Sequence, residues 1–132
     1  MNKIVKKDGS IMSDEEIFDE VVNFHKKLYP NCKNIGDSLG KTLYQGGKSF
    51  VLTKTTFVDM YLRGEGMCDC HNDGEFEIVT VEEIINDLPE DEKAEYCNAD
   101  GSIRELTTRD IEGLTGGKLP IRCKKCGCWS HL

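Results

Sequence analysis

Thiolate and imidazole are the ligands that zinc prefers, and five of the chain's seven cysteines fall in two tight clusters. The first is Met67-Cys68-Asp69-Cys70-His71; the second is Arg122-Cys123-Lys124-Lys125-Cys126-Gly127-Cys128-Trp129-Ser130-His131. Cys32 and Cys97 stand alone, and a lone cysteine is usually a small buried hydrophobe. Seven cysteines cannot all pair within one chain. The opening Met1-Asn2-Lys3-Ile4-Val5-Lys6-Lys7 has no apolar run behind its charge, which points to a reducing, cytoplasmic setting where structural disulfides are rare. Metal binding is therefore the chemistry to expect, with Zn2+ as the cofactor.

A tetrahedral zinc site is assembled economically from two short hooks on separate turns. Cys123-Lys124-Lys125-Cys126-Gly127 supplies one, its two thiolates three positions apart and its glycine placed where such a turn needs positive φ. Either Cys68 with His71 or Cys68 with Cys70 supplies the other. The two-residue spacing suits a zinc turn better, which favours Cys68 and His71 and leaves Cys70 as a spare thiol or substitute ligand. Cys128 and His131 are further substitutes, or parts of a second site with Cys70. Trp129 is expected to cover the site as an apolar lid.

The net charge of −7 is unevenly spread. Residues 1–63 carry ten basic and eight acidic groups, residues 64–112 three and sixteen, and residues 113–132 four and none. A nucleic-acid binder shows a basic face. The acidic middle argues against one covering the whole surface, whereas Lys118, Arg122, Lys124 and Lys125 leave room for a local contact or simply offset the thiolate charge. No apolar stretch reaches the roughly 18 residues of a membrane span.

These hooks need elements to carry them. Ser13-Asp14-Glu15-Glu16 is a capping box, followed by Ile17, Phe18, Val21, Val22, Phe24 and Leu28 at helical spacing until Tyr29-Pro30. His25 beside that stripe reads as a partly exposed histidine. Residues 31–48, with four glycines, read as a connector. Ser49–Thr53 and Thr55–Leu62, rich in β-branched and aromatic residues, suit paired strands. Glu75–Val79 alternates like a half-buried strand, Thr80-Val81-Glu82-Glu83 is a second capping box for a two-turn helix, and residues 90–101 form an acidic excursion. Ile103 and Leu106 suggest a short strand, Thr107 or Thr108 a cap for a helix through Leu114, and Leu119–Arg122 a strand delivering the second hook.

Cys68-Asp69-Cys70-His71-Asn72-Asp73-Gly74-Glu75-Phe76 resembles the first hook of small phage and bacterial zinc-ribbon or treble-clef modules, which are often attached to endonucleases. Gly113-Leu114-Thr115-Gly116-Gly117 leads into Cys123 and Cys126 as that family's glycine-rich turn leads into its second hook. Phe18 through Tyr29 and Tyr44-Gln45-Gly46-Gly47-Lys48 resemble its leading helix and tyrosine-glycine segment, so the likeness spans residues 15–127. It implies Cys68, His71, Cys123 and Cys126 as zinc ligands, and nucleic acid as a partner.

Other chemistries fit less well. Gly40-Lys41-Thr42 lacks the glycine a phosphate loop requires at position 35, which is Ile35. A zinc deaminase would place proline directly before its second hook, whereas Pro120 lies two residues short of Cys123's neighbour. Glu75 and Glu77 share one strand face, but proximity alone does not make a catalytic pair. The expected architecture is α+β, a single domain over residues 1–132: an N-terminal helix on a small antiparallel sheet, then a zinc-ribbon-like part from residue 64 with an acidic insertion at 86–110. The expected function is a zinc-stabilised binding or regulatory module engaging a protein partner, with nucleic-acid binding through the zinc corner and basic tail as the alternative. Four protein ligands would close the metal site, so an enzyme is not expected.

Overall fold

The computed structural model describes residues 1–63 and 74–132. The fold is α+β, as expected. Its main sheet has the order β1-β4-β5-β6, formed by Lys3–Ile4 (β1), Glu75–Ile78 (β4), Pro120–Cys123 (β5) and Trp129–His131 (β6). β1 runs parallel to β4, and the other neighbours are antiparallel. A separate hairpin joins Thr42–Gln45 (β2) to Lys48–Val51 (β3). No helix among the described residues is long and apolar enough to cross a membrane.

Helix α1, Asp14–Leu28, begins where its capping box predicts: Ser13 Oγ accepts from the Glu16 amide at 3.1 Å, and Glu16 Oε1 accepts from the Ser13 amide at 3.2 Å. Its apolar stripe buries Ile17, Phe18 and Val21 against Ile4, Phe76 and Ile121 of the sheet and Phe57, Val58 and Leu62 of the following helix. Phe18 and Phe57 meet edge to face at 5.2 Å, a geometry the ring quadrupoles favour. His25 is half-buried beside Tyr29, as anticipated.

Two segments depart from the sequence-based expectation. Residues 55–62 were expected as a strand, yet Lys54–Tyr61 is a helix (α2). Thr53 decides this locally, its Oγ1 accepting from the Thr56 amide at 3.0 Å as an N-cap. The partner of β3 is instead β2, drawn from the supposed connector. Gly46 and Gly47, at φ 61° and 78°, supply the paired positive-φ turn that two-residue hairpins favour. The short strand expected around Ile103 and Leu106 reduces to a single bridge between Cys97 and Ile103.

Thr80 and Thr107 cap α3 (Val81–Asn86) and α5 (Thr108–Thr115) through complete capping boxes. Between them the acidic excursion folds into a single turn of helix, Glu90–Lys93 (α4), and a 3-10 turn, Ala94–Tyr96. Arg104 holds this excursion in place. Its Nε donates to the Glu95 carbonyl at 2.9 Å, its guanidinium lies over the Tyr96 ring, and its Nη1 donates to Asp110 Oδ2 at 2.8 Å.

The Arg104 guanidinium, helped by the Thr107 amide, keeps the Asp110 carboxyl well below the usual carboxylate range. A depressed folded-state pKa contributes stability above the unfolded value of about 4, and that contribution disappears as pH falls through the folded value. The melting-temperature gap between the wild type and Asp110→Asn should therefore be constant near neutral pH and shrink below about pH 4. Thermal melts of both chains across that range measure it, and a gap that grows on acidification would contradict the assignment.

Candidate metal centre and its surroundings

Strand β5 ends at Cys123, and the chain reverses through Lys124–Cys128 into β6. The reversal is tightly held. Gly127 donates to the Cys123 carbonyl at 2.9 Å, the Cys123 amide donates to the Cys128 carbonyl at 2.9 Å, and Gly127 sits at φ 75° as the hook reading required. The Cys123 side chain is buried in the core, while Cys126 and Cys128 are exposed on the turn. Thiolates three positions apart on a glycine-closed turn are a chemically suitable half of a zinc ligand set.

The other expected ligands, Cys68 and His71, with the substitute Cys70, lie outside the described residues. Among the described residues no three Cys, His, Asp or Glu side chains converge as a metal group. What the structure does describe is the frame on either side of that segment. Phe76 of β4 pairs with Cys123 of β5, and the Lys124 amide donates to the Glu75 carbonyl at 2.7 Å. The strand that begins four residues after His71 in sequence, at Glu75, therefore runs directly beside the second hook.

A residue that sequence reasoning passed over secures this frame. Asn2 is buried, and its side-chain amide donates to the Leu62 carbonyl at 2.9 Å while its Oδ1 accepts from the Gly74 amide at 2.8 Å. One amide thus clasps the positions that bracket the first cluster. Gly74 has little freedom to change: a Cβ there would lie 2.8 Å from Phe76 Cε2 and 3.0 Å from Asn2 Oδ1. Nothing in the local pattern singles out Asn2, because both of its partners are about 60 or more residues away in sequence.

The remaining candidates are dispersed. His131 pairs with Pro120, three residues along β5 from Cys123, or about 10 Å at strand spacing. It lines a small depression of about 250 Å³ with His25 and Lys118, away from the cysteine turn. His131 therefore stands three positions along the sheet from the Cys123 hook rather than on its turn. Trp129 is half exposed and pairs with Arg122, so strand alternation puts it on the face opposite the buried Cys123 side chain. It forms no lid over that sulfur. Cys32, expected buried, is exposed in the loop after α1, whose Tyr29 carbonyl accepts its amide; Cys97 is half-buried.

The four basic tail residues do not form one patch either. Lys118 stands at the far end of β5. Arg122 is committed within the protein: Nη2 donates to Glu77 Oε1 at 2.7 Å, Nη1 to Asp87 Oδ2 at 3.3 Å, and its guanidinium lies 5.4 Å from the Trp129 ring centroid. Glu77, Arg122 and Trp129 thus make a ladder across three strands on one sheet face. Lys124 and Lys125 stand exposed on the turn. Glu75 pairs with Lys3 at 3.6 Å, so Glu75 and Glu77 are both engaged with cations.

Truncating Asn2 to alanine leaves the Leu62 carbonyl and the Gly74 amide without their partner, at a cost of about 2–4 kcal/mol. Asn2→Asp, which keeps the acceptor but sets a buried carboxylate against the Leu62 carbonyl, should be at least as destabilising as alanine near neutral pH. Urea unfolding midpoints of the three chains test this; an alanine variant as stable as wild type would show the clasp to be dispensable. Comparisons with protein-family models, with curated proteins and with solved structures return no match, so the case for function rests on these residues themselves.

Proposed function

We propose that the chain is a zinc-stabilised binding module whose ligand is another protein. The observation that carries the metal reading is the pairing of Phe76 with Cys123, reinforced by the Lys124–Glu75 hydrogen bond, because it sets the chain just downstream of Cys68 and His71 beside the Cys123–Cys126 hook. Three extended residues reach about 10 Å, so the tether from Gly74 to His71 is compatible with a shared ion. Cys68, His71, Cys123 and Cys126 would hold it, with Cys70 or Cys128 as replacements. A zinc closed by four protein ligands lends folding energy and leaves no open position for substrate, which favours binding over catalysis.

Protein is the favoured ligand because residues 74–112 carry thirteen acidic against three basic groups, a surface that repels phosphate backbones. Arg122, the basic residue best placed on the sheet, already satisfies Glu77 and Asp87. Nucleic acid is the second reading, favoured by the exposed Lys124 and Lys125 on the cysteine turn.

Mass spectrometry under native conditions should find a single bound zinc, and Cys123→Ser or Cys126→Ser should lower its occupancy. Chelation should lower the melting temperature by about 10 °C or more, since metal binding and folding are coupled. A metal-free chain, or a melting curve indifferent to chelator, overturns the zinc reading. Capture on the immobilised chain should survive nuclease treatment; capture abolished by nuclease, with steep salt dependence on random DNA, would favour the second reading instead.

A further inference from the structure

An open depression of about 850 Å³ lies between α1, the β4–α3 junction, residues 103–106 and α5. Phe24, Ile78, Val81, Ile103, Leu106 and Ile111 line it, each half-buried. Side chains from separate elements thus bring apolar surface to one place without covering it, and the opening is a groove rather than an enclosed cavity. Half-exposed apolar side chains gathered in a polar-framed depression offer a partner's apolar face a place to pack.

The frame is acidic. Glu20 on α1, Glu82 on α3 and Glu105 are exposed at the groove, and among the described residues none of them forms an ion pair with a described partner. Arg104, also at the groove, is neutralised by Asp110, which leaves Lys27 as the counterweight. An apolar floor flanked by uncommitted carboxylates complements a segment that presents apolar side chains on one face and cations on its flanks.

We propose that this groove binds a short basic amphipathic helix of a partner protein, its apolar face seated on Leu106 and Phe24 and its lysines or arginines meeting Glu20, Glu82 and Glu105. The proposal rests on the protein-binding reading above and names the surface and the partner's chemistry. The groove lies at the Ile78 and Leu119 end of β4 and β5, whereas the cysteine turn leaves the other end of β5, so occupancy of one does not obstruct the other.

The test uses the full chain as purified and two labelled helical peptides that share leucines at i, i+3, i+4 and i+7; one is flanked by lysines and its twin by glutamates. Fluorescence anisotropy at low salt should show the lysine peptide binding at least about tenfold tighter than its twin. Glu20→Lys combined with Glu105→Lys, both at exposed positions, should erase that preference, and Leu106→Asp should abolish binding. Equal binding of the two peptides overturns the proposal. Binding of the lysine peptide that is indifferent to both variants also overturns it, since the peptide would then be adhering to acidic surface elsewhere. Absence of peptide binding with nuclease-resistant capture intact overturns the groove alone, whereas loss of both overturns the protein-binding reading as well.

Discussion

The pairing of β4 with β5 is the constraint on which the rest of the molecule depends. It sets Phe76 against Cys123 and Ile78 against Ile121, so one row of side chains closes the core beneath α1 while the alternate row, Glu77 and Arg122, faces outward. β1 adds to the free side of β4, with the Val5 amide donating to the Phe76 carbonyl at 2.7 Å. Without this strand pair, the N-terminus has no sheet to join, the cysteine turn has no base, and α1 has no surface on which to bury Phe18 and Ile17. Because the pair joins residues 43 to 47 apart in sequence, its loop-closure entropy must be offset by the buried contacts around it.

Long-range polar contacts do much of the remaining positioning. Asn2 clasps Leu62 and Gly74; Arg63 joins Asp14 of α1 to Asp59 of α2; Arg104 gathers Glu95, Tyr96 and Asp110; Arg122 ties Glu77 to Asp87. The planar guanidinium suits this work, since one side chain reaches several acceptors at fixed geometry. This also explains how so acidic a stretch as residues 74–112 folds compactly: two of the arginines that could have made a basic surface serve as internal counterions.

What was legible in the sequence was local. The boxes at Ser13 and Thr80, and the cap left open between Thr107 and Thr108, placed helix starts because each cap is satisfied by its own neighbours within three residues. The alternation in Glu75–Val79 and the strand leading to Cys123 were visible for the same reason. Lys54–Tyr61 was misread because its β-branched and aromatic content favours strands, while the hydroxyl of Thr53, one residue upstream, starts a helix whose Phe57, Val58 and Leu62 find buried partners on α1 and the sheet. β1 is two residues long, too short for any period to show, and exists only because β4 offers an edge. Of the candidate site, the Cys123–Cys126–Gly127 turn was readable from spacing. The dispersal of Lys118, Arg122 and His131 was not, because strand register rather than sequence proximity decides which side chains meet.

The same register separates support from recognition. β4 and β5 are each four residues long, or about 13 Å from end to end. The cysteine turn leaves the Cys123 end, and the acidic groove opens at the Ile78 and Leu119 end. A metal bound at the first end would act on the second only through the strands themselves, by fixing their pairing and hence the placement of Ile78 and the α3 cap that follows it. On the proposed reading, such an arrangement would let an ion make the sheet rigid while the proposed binding surface stayed metal-free and acidic. The charges of the two ends differ as well: Lys124 and Lys125 stand exposed on the cysteine turn, whereas Glu20, Glu82 and Glu105 stand exposed around the groove.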